Sequence, residues 1–220
     1  GGVLCDVAQY SLGEVAFDGL DGDDEVSLTL SAENDSVDLS GTGGAITSGL
    51  GYTITLANLE SIAIEGGGGD DAAILRDTPA DDTFTAKPEL VEHKAAGYDQ
   101  QFTGFATVQA YGGTGEDTAY LYGSAGDDTF VASTSKASMT SSLGYSYEAQ
   151  GFRYQHGYAG TGGADKASLY GSTDSDALVA GETQTILKNA TYYYARAKSF
   201  PKVFAYGQGG ADTASLSDSP

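Results

Sequence analysis

Five aspartates return along the chain at nearly constant spacing: Asp24, Asp71, Asp117, Asp165 and Asp212 lie 47, 46, 48 and 47 residues apart. Two positions before each stands a glycine (Gly22, Gly69, Gly115, Gly163, Gly210), and two positions after it a small or β-branched apolar residue (Val26, Ala73, Ala119, Ala167, Ala214). Four positions after it stands a leucine: Leu28, Leu75, Leu121, Leu169 and Leu216. Self-similarity at a fixed period of this size is the mark of a stacked repeat architecture. Offsets of two and four put residues on one face of a strand. Each unit therefore reads as a glycine–aspartate turn feeding a strand whose apolar positions point inward.

A second turn-strand element follows 11 residues later, as Asp35/Val37/Leu39, Asp82/Phe84/Ala86, Asp128/Phe130/Ala132 and Asp176/Leu178/Ala180. A third apolar set precedes the next glycine turn: Leu12/Val15/Phe17, Leu59/Ile62/Ile64, Phe105/Val108/Ala110, Phe152/Gln155/Gly157 and Phe200/Val203/Ala205. Further strand-like runs at 137–142 and 145–149 bring the total to about five short strands per repeat. Thirty-two glycines, each costing about 1 kcal/mol inside a helix, exclude a helical reading except for one frayed turn near 88–95. The expected fold is all-β: a single β-solenoid, parallel β-helix-like or β-roll-like, over 1–220. Its parts are a partial repeat 1–17, repeats 18–64, 65–110, 111–157 and 158–205, and a partial repeat 206–220. Two coils of about 23 residues per repeat fit this better than one coil of the full period. Stacking of equivalent positions makes the five leucines a core ladder. Both ends fall inside a repeat, so the array is expected to continue or to associate end to end.

Ten Lys and Arg stand against 31 Asp and Glu, for a net charge of −21. Phosphate contacts need basic side chains, so nucleic acid is excluded as a partner. No apolar run reaches the ~18 residues of a membrane-spanning helix, so no membrane insertion is expected. Cys5 is the single cysteine, which leaves no internal disulfide.

The stretch Gly112-Gly113-Thr114-Gly115-Glu116-Asp117-Thr118-Ala119-Tyr120, like Gly66 through Ile74, fits the GGxGxDxUx nonapeptide. It resembles the haemolysin-type (RTX) calcium-binding β-rolls. The longer run 117–132 resembles the repeat regions of very large surface proteins of planctomycete-type bacteria. That second resemblance covers nearly the whole chain and implies an extracellular, non-enzymatic repeat region. RTX motifs recur every nine residues; here the turns are 11 and then about 47 apart, so the RTX metal geometry does not transfer directly. Asp24, Asp71, Asp117, Asp165 and Asp212 remain the candidate calcium ligands, since calcium takes carboxylate and turn-carbonyl oxygens. The competing reading is an Asx-turn, in which each carboxylate accepts backbone N–H groups.

Arg153, Tyr154 and His156 cluster in one repeat only. Arg153 and His156 differ by three and point to opposite faces of a regular strand, which reads as surface decoration. His93 reads as a loop residue. Tyr120, Tyr122 and Tyr170 flank the inward leucines and should face outward, where rings can meet sugars or a neighbouring solenoid. Tyr192, Tyr193 and Tyr194 cannot all be buried. Asn34-Asp35-Ser36 and Asn189-Ala190-Thr191 match the glycosylation sequon at Asn34 and Asn189. The expected role is structural or adhesive, without catalysis, in a fibre, sheath or giant protein at the cell surface. The expected partners are further copies, end to end or laterally, and cell-surface polysaccharide. The alternative is a carbohydrate-binding module or an accessory domain of a β-helix polysaccharide lyase or epimerase.

Overall fold

A computed structural model describes residues 3–4 and 13–217. Cys5, Leu12 and the last three residues lie outside the described residues, and with them the cysteine expectation and the outermost parts of the partial repeats. The described chain is all-β: 23 short strands and no helix. It falls into two compact units, Gly1–Phe84 with Glu89–Gly115, and Thr85–Pro88 with Glu116–Pro220.

The first unit holds β1 (Val3–Leu4), β2 (Glu14–Asp18), β3 (Glu25–Thr29), β4 (Ser36–Ser40), β5 (Gly43–Thr47), β6 (Thr53–Ala57), β7 (Ser61–Glu65) and β8 (Ala72–Arg76). It continues through the start of β9 (Thr83–Lys87) to β10 (Leu90–Ala95), β11 (Tyr98–Thr103) and β12 (Thr107–Tyr111). One of its sheets runs β1-β3-β7-β11-β10-β9 and the other β2-β6-β5-β4-β8-β12. The second unit holds β13 (Thr118–Tyr122), β14 (Asp128–Ala132), β15 (Lys136–Ser141), β16 (Ser146–Gln150), β17 (Tyr154–Tyr158) and β18 (Lys166–Tyr170). It ends with β19 (Asp176–Ala180), β20 (Gln184–Asn189), β21 (Tyr194–Lys198), β22 (Lys202–Tyr206) and β23 (Thr213–Leu216). Its sheets run β13-β17-β21-β20-β19-β23 and β16-β15-β14-β18-β22.

Each complete repeat contributes five strands in three segments. A single strand lies on one sheet, a three-stranded antiparallel meander on the other, and a single strand returns to the first. Three is odd, so a repeat makes one and a half circuits and the next begins on the opposite sheet. Within the first unit, β4–β6 lie in one sheet and β9–β11 in the other. Within the second, β14–β16 and β19–β21 alternate in the same way. This resolves the coil count, for which two per repeat was expected. Parallel neighbours are set by segment length, not by the repeat. Leu28 pairs with Ile64 and Leu39 with Leu75, steps of 36 residues.

The leucine ladder is therefore corrected. Leu28 and Leu75 lie on opposite sheets of the first unit, and Leu121 and Leu169 on opposite sheets of the second. They meet the core from two sides and do not stack in one column. All four are buried, as the two-residue alternation requires, whereas Leu216 on β23 is 75% exposed. The frayed turn near 88–95 is also corrected. Val91 and His93 are buried while Leu90, Glu92 and Lys94 are not, a period of two that builds β10. His93 is consequently a core residue of a strand, not part of a loop.

Candidate functional site

The first-column aspartates do not neighbour one another. The register sets Asp71, Asp165 and Asp212 beside the second aspartate of the preceding repeat. Asp71 Oδ1 accepts the Asp35 N–H at 2.8 Å, Asp165 Oδ1 the Asp128 N–H at 2.9 Å, and Asp212 Oδ1 the Asp176 N–H at 3.0 Å. Asp24 donates its own N–H to Glu60 Oε2 at 2.8 Å, again a step of 36 residues. The second-column aspartates cap their turns, with Asp35, Asp128 and Asp176 accepting the N–H of Ser31, Ser124 and Ser172. Asp71 is fully buried, and that burial lifts its carboxyl above the ordinary range despite the Asp35 N–H bond. Asp117 is likewise buried, and Asp212 is exposed. The carboxylates of Asp71, Asp165 and Asp212 accept backbone N–H groups from the stacked turn 36 or 37 residues away, a long-range bond in place of the local Asx-turn. Among the described residues, none of the five joins a cluster of three metal-ligating side chains.

Asn34 is exposed and accepts the Asp70 N–H at 2.8 Å. Asn189 Oδ1 accepts the N–H of Thr191 at 2.8 Å and of Tyr192 at 3.0 Å, closing the turn after β20. Both sequon asparagines thus have a structural use for their amide oxygen.

A concentration of polar function appears on the outer face of one sheet of the second unit. Strand alternation turns Ala119, Leu121, Gln155, Gly157, Ala195 and Ala197 inward. The residues between them form cross-strand rows fixed by register. One row runs Thr118, Tyr154, Tyr194, Lys188, Ala177, Thr213. The next runs Tyr120, His156, Arg196, Ile186, Val179, and the third Tyr122, Tyr158, Lys198, Gln184. In a chain of charge −21 this patch carries Lys188, Arg196 and Lys198 with five tyrosines.

The rings stack across the strands. Tyr122 and Tyr158 lie 4.5 Å apart at 6°, and Tyr120 and His156 5.0 Å apart at 14°. Their spacing matches the ~4.8 Å between strands, so the rings stand on edge and present phenol oxygens outward. The Arg196 guanidinium lies 5.2 Å from the Tyr158 ring centroid and donates to the Tyr158 hydroxyl. The Lys198 ammonium is 5.9 Å from the same ring and the Lys87 ammonium 5.6 Å from that of Tyr122. Such cation–π contacts hold the charges in place. His156 is wedged between Tyr120 and Tyr194. Burial, with the Arg196 charge nearby, drops its pKa to about 4, so the ring is neutral at pH 7.

Where the first row reaches Ala177, the small side chain leaves a groove of about 490 Å³. Tyr154, Tyr194, Ala177 and Thr213 line it, with Arg153, Lys188 and Asp176 as its charged residues. Arg153 precedes β17, so strand alternation does not govern it. It pairs with Glu116 and lies over the Tyr154 ring at 5.2 Å. Tyr154 donates to the same carboxylate at 3.3 Å. The triplet singled out in the sequence thus lies on one face: Arg153 and Tyr154 in the groove, His156 in the adjoining row. Tyr120 and Tyr122 face outward as expected, and Tyr170 stacks on Tyr206 at 4.7 Å on the other sheet. Of the tyrosine run, Tyr193 is buried, Tyr192 is 45% exposed and Tyr194 lines the groove. Lys188, Arg196 and Lys198 were not singled out in the sequence. Their i, i+2 alternation with buried Leu187, Ala195 and Ala197 is the signal that would have found them. Comparison with protein-family models, with curated proteins and with solved structures finds no match to this chain.

Proposed function

We propose that the chain is a segment of an extracellular, non-enzymatic β-solenoid whose second unit binds carboxylated polysaccharide through the tyrosine-and-basic face and its groove. The observation that carries this reading is the convergence of Lys188, Arg196 and Lys198 with outward phenols on one sheet face. Guanidinium and ammonium groups hold carboxylates by charge-assisted hydrogen bonds. Phenol oxygens supply donors and acceptors for sugar hydroxyls, and the space above Ala177 admits a ring between Tyr194 and Thr213. The net charge of −21 repels a polyanion, so attachment depends on these local cations and is salt-sensitive. The cell-surface location rests on the resemblance of the repeats to giant surface proteins.

Calorimetric titration with a polyuronate and with a neutral glucan tests the proposal. Binding of the polyuronate alone is expected, weakened at least ~10-fold, or 1.4 kcal/mol, by Lys188→Ala combined with Tyr194→Ala. Equal binding of both glycans, or no binding of the polyuronate at low salt, would overturn it.

A further inference from the structure

Repeat 65–110 differs from the other complete repeats at three positions in the core of the first unit. The meander register pairs Ile46 with Ile54, Met139 with Tyr147 and Leu187 with Ala195; in this repeat the same pair is His93 with Gln100. Five residues before the second aspartate, where the others carry Leu30, Gly123 and Gly171, stands Asp77. Burying polar groups costs free energy unless they find partners. Three such replacements in one repeat, gathered in one cluster, call for a ligand or a function.

The point of convergence is Asp82. Tyr98 donates its hydroxyl to Asp82 Oδ1. His93 Nε2 lies 3.9 Å from Asp82 Oδ1 and 3.3 Å from the Tyr98 hydroxyl. Oxygen and nitrogen atoms of Asp77, Asp82 and His93 all fall within 4.8 Å of one another. His93 and Asp82 are buried, while Asp77 is half-buried and gives the cluster a route to solvent. The imidazole is wired from behind. Gln100 Nε2 donates to the Gly41 carbonyl at 2.6 Å, which turns its Oε1 toward His93 Nδ1 at 3.4 Å. Nδ1 therefore carries the proton, and the Nε2 lone pair faces the two carboxyl groups. Second-row hydrogen bonding of this kind fixes the tautomer of a metal-binding histidine.

We propose that Asp77, Asp82 and His93 form a binding site for one divalent transition-metal ion, zinc being the best match, with Tyr98 and Gln100 orienting Asp82 and His93. Zinc bound at ~2.0–2.1 Å to nitrogen and oxygen in a tetrahedron sets its ligand atoms roughly 3.3 Å apart, so the observed separations close with small side-chain shifts. One imidazole with two carboxylates suits zinc better than calcium, which takes six to eight oxygens. Burial and the neighbouring Asp82 raise the Asp77 carboxyl to about 6, and burial makes the His93 ring harder to protonate. A metal here clamps the turn at Asp77–Asp82 to the meander β9–β11 from inside the core.

The test is titration of the chelator-treated full chain with zinc chloride, read by calorimetry and by thermal melting. The expected result is one equivalent bound at micromolar or tighter affinity and a rise in Tm that excess chelator reverses. Both should vanish in His93→Leu, which installs the residue of a sister repeat. Because that variant could fold differently, Asp77→Asn, which keeps an amide oxygen for the Gly113 N–H that Asp77 accepts at 2.6 Å, is the second arm and should weaken zinc at least 10-fold in a chain that still melts cooperatively. Absence of stoichiometric binding, or binding unchanged in a folded variant, would overturn the proposal. Cobalt(II) adds a separate readout: visible bands of tetrahedral intensity support the site, and their absence from a cobalt-loaded chain counts against it.

Discussion

His156 lies on the outer face of its sheet yet is more than half enclosed by Tyr120, Tyr194 and Arg196. Its pKa falls from an unfolded value of 6.5 to about 4. Between those values the unfolded chain takes up a proton that the folded one refuses. Stability is therefore fully retained above about pH 6.5 and declines as pH falls toward 4. The limiting cost is roughly 3 kcal/mol, trimmed to about 2 by solvent at the partly open ring. His156→Gln should abolish this part of the slope, so the difference between wild-type and variant denaturant melts should shrink as pH falls from 7 to 4. A constant difference would mean the ring titrates normally. Gly157, the next residue, faces inward, and a Cβ there would come within 2.5 Å of the Phe130 ring. One side chain short of a core pair is what lets Phe130 seat against the strand.

At the scale of the element, the strand alternation is the unit of stability. In β13, Ala119 and Leu121 are buried while Thr118, Tyr120 and Tyr122 are partly open. Leu121 is opposed by Gly157 in the register of β17, so its cross-strand partner has no side chain with which to fill the space it would vacate. Leu121→Ala should cost about 2–5 kcal/mol in a denaturant melt; a loss well under ~1 kcal/mol would contradict the inward packing. The turns work differently. Gly163 has φ of 77°, and a Cβ there would lie 2.1 Å from the Gly126 carbonyl. The glycine of the repeat motif is thus required twice, by its left-handed backbone and by the close approach of the stacked turn. The aspartate two residues on completes the turn by accepting an N–H from its neighbour.

At the scale of the molecule, charge and fold pull in opposite directions. A net charge of −21 makes the folded chain repel itself. Added salt should therefore raise Tm by a few degrees, roughly 2–4 °C per kcal/mol at this size, while weakening polyuronate binding on the basic face. Parallel melts and titrations at ~0.02 and ~0.5 M salt, where the Debye length shrinks several-fold, would read both signs. Equal direction in both would mean that the face does not bind through charge. The two proposed sites also lie in different units, the metal cluster in the first and the glycan face in the second, so each set of variants serves as a control for the other.

The sequence by itself determined the repeat, its strand content and its inward positions. A period of two residues within strands and of about 47 between them is a local property that side-chain alternation and turn glycines dictate wherever the chain goes. It likewise marked Tyr120, Tyr122, Arg153, Tyr154 and His156 as unusual. Only the tertiary structure decided which residues become neighbours. Because each repeat crosses between sheets an odd number of times, parallel partners come from different parts of adjacent repeats, so the leucines and first-column aspartates never form the columns that equal spacing suggests. The same long-range pairing gathers Asp77, Asp82, His93, Tyr98 and Gln100 from a turn and two meander strands. It also aligns Tyr154, Tyr194 and Lys188 across three more. Proximity across a sheet is set by hydrogen-bond register between segments distant in the chain, a quantity that no local pattern encodes.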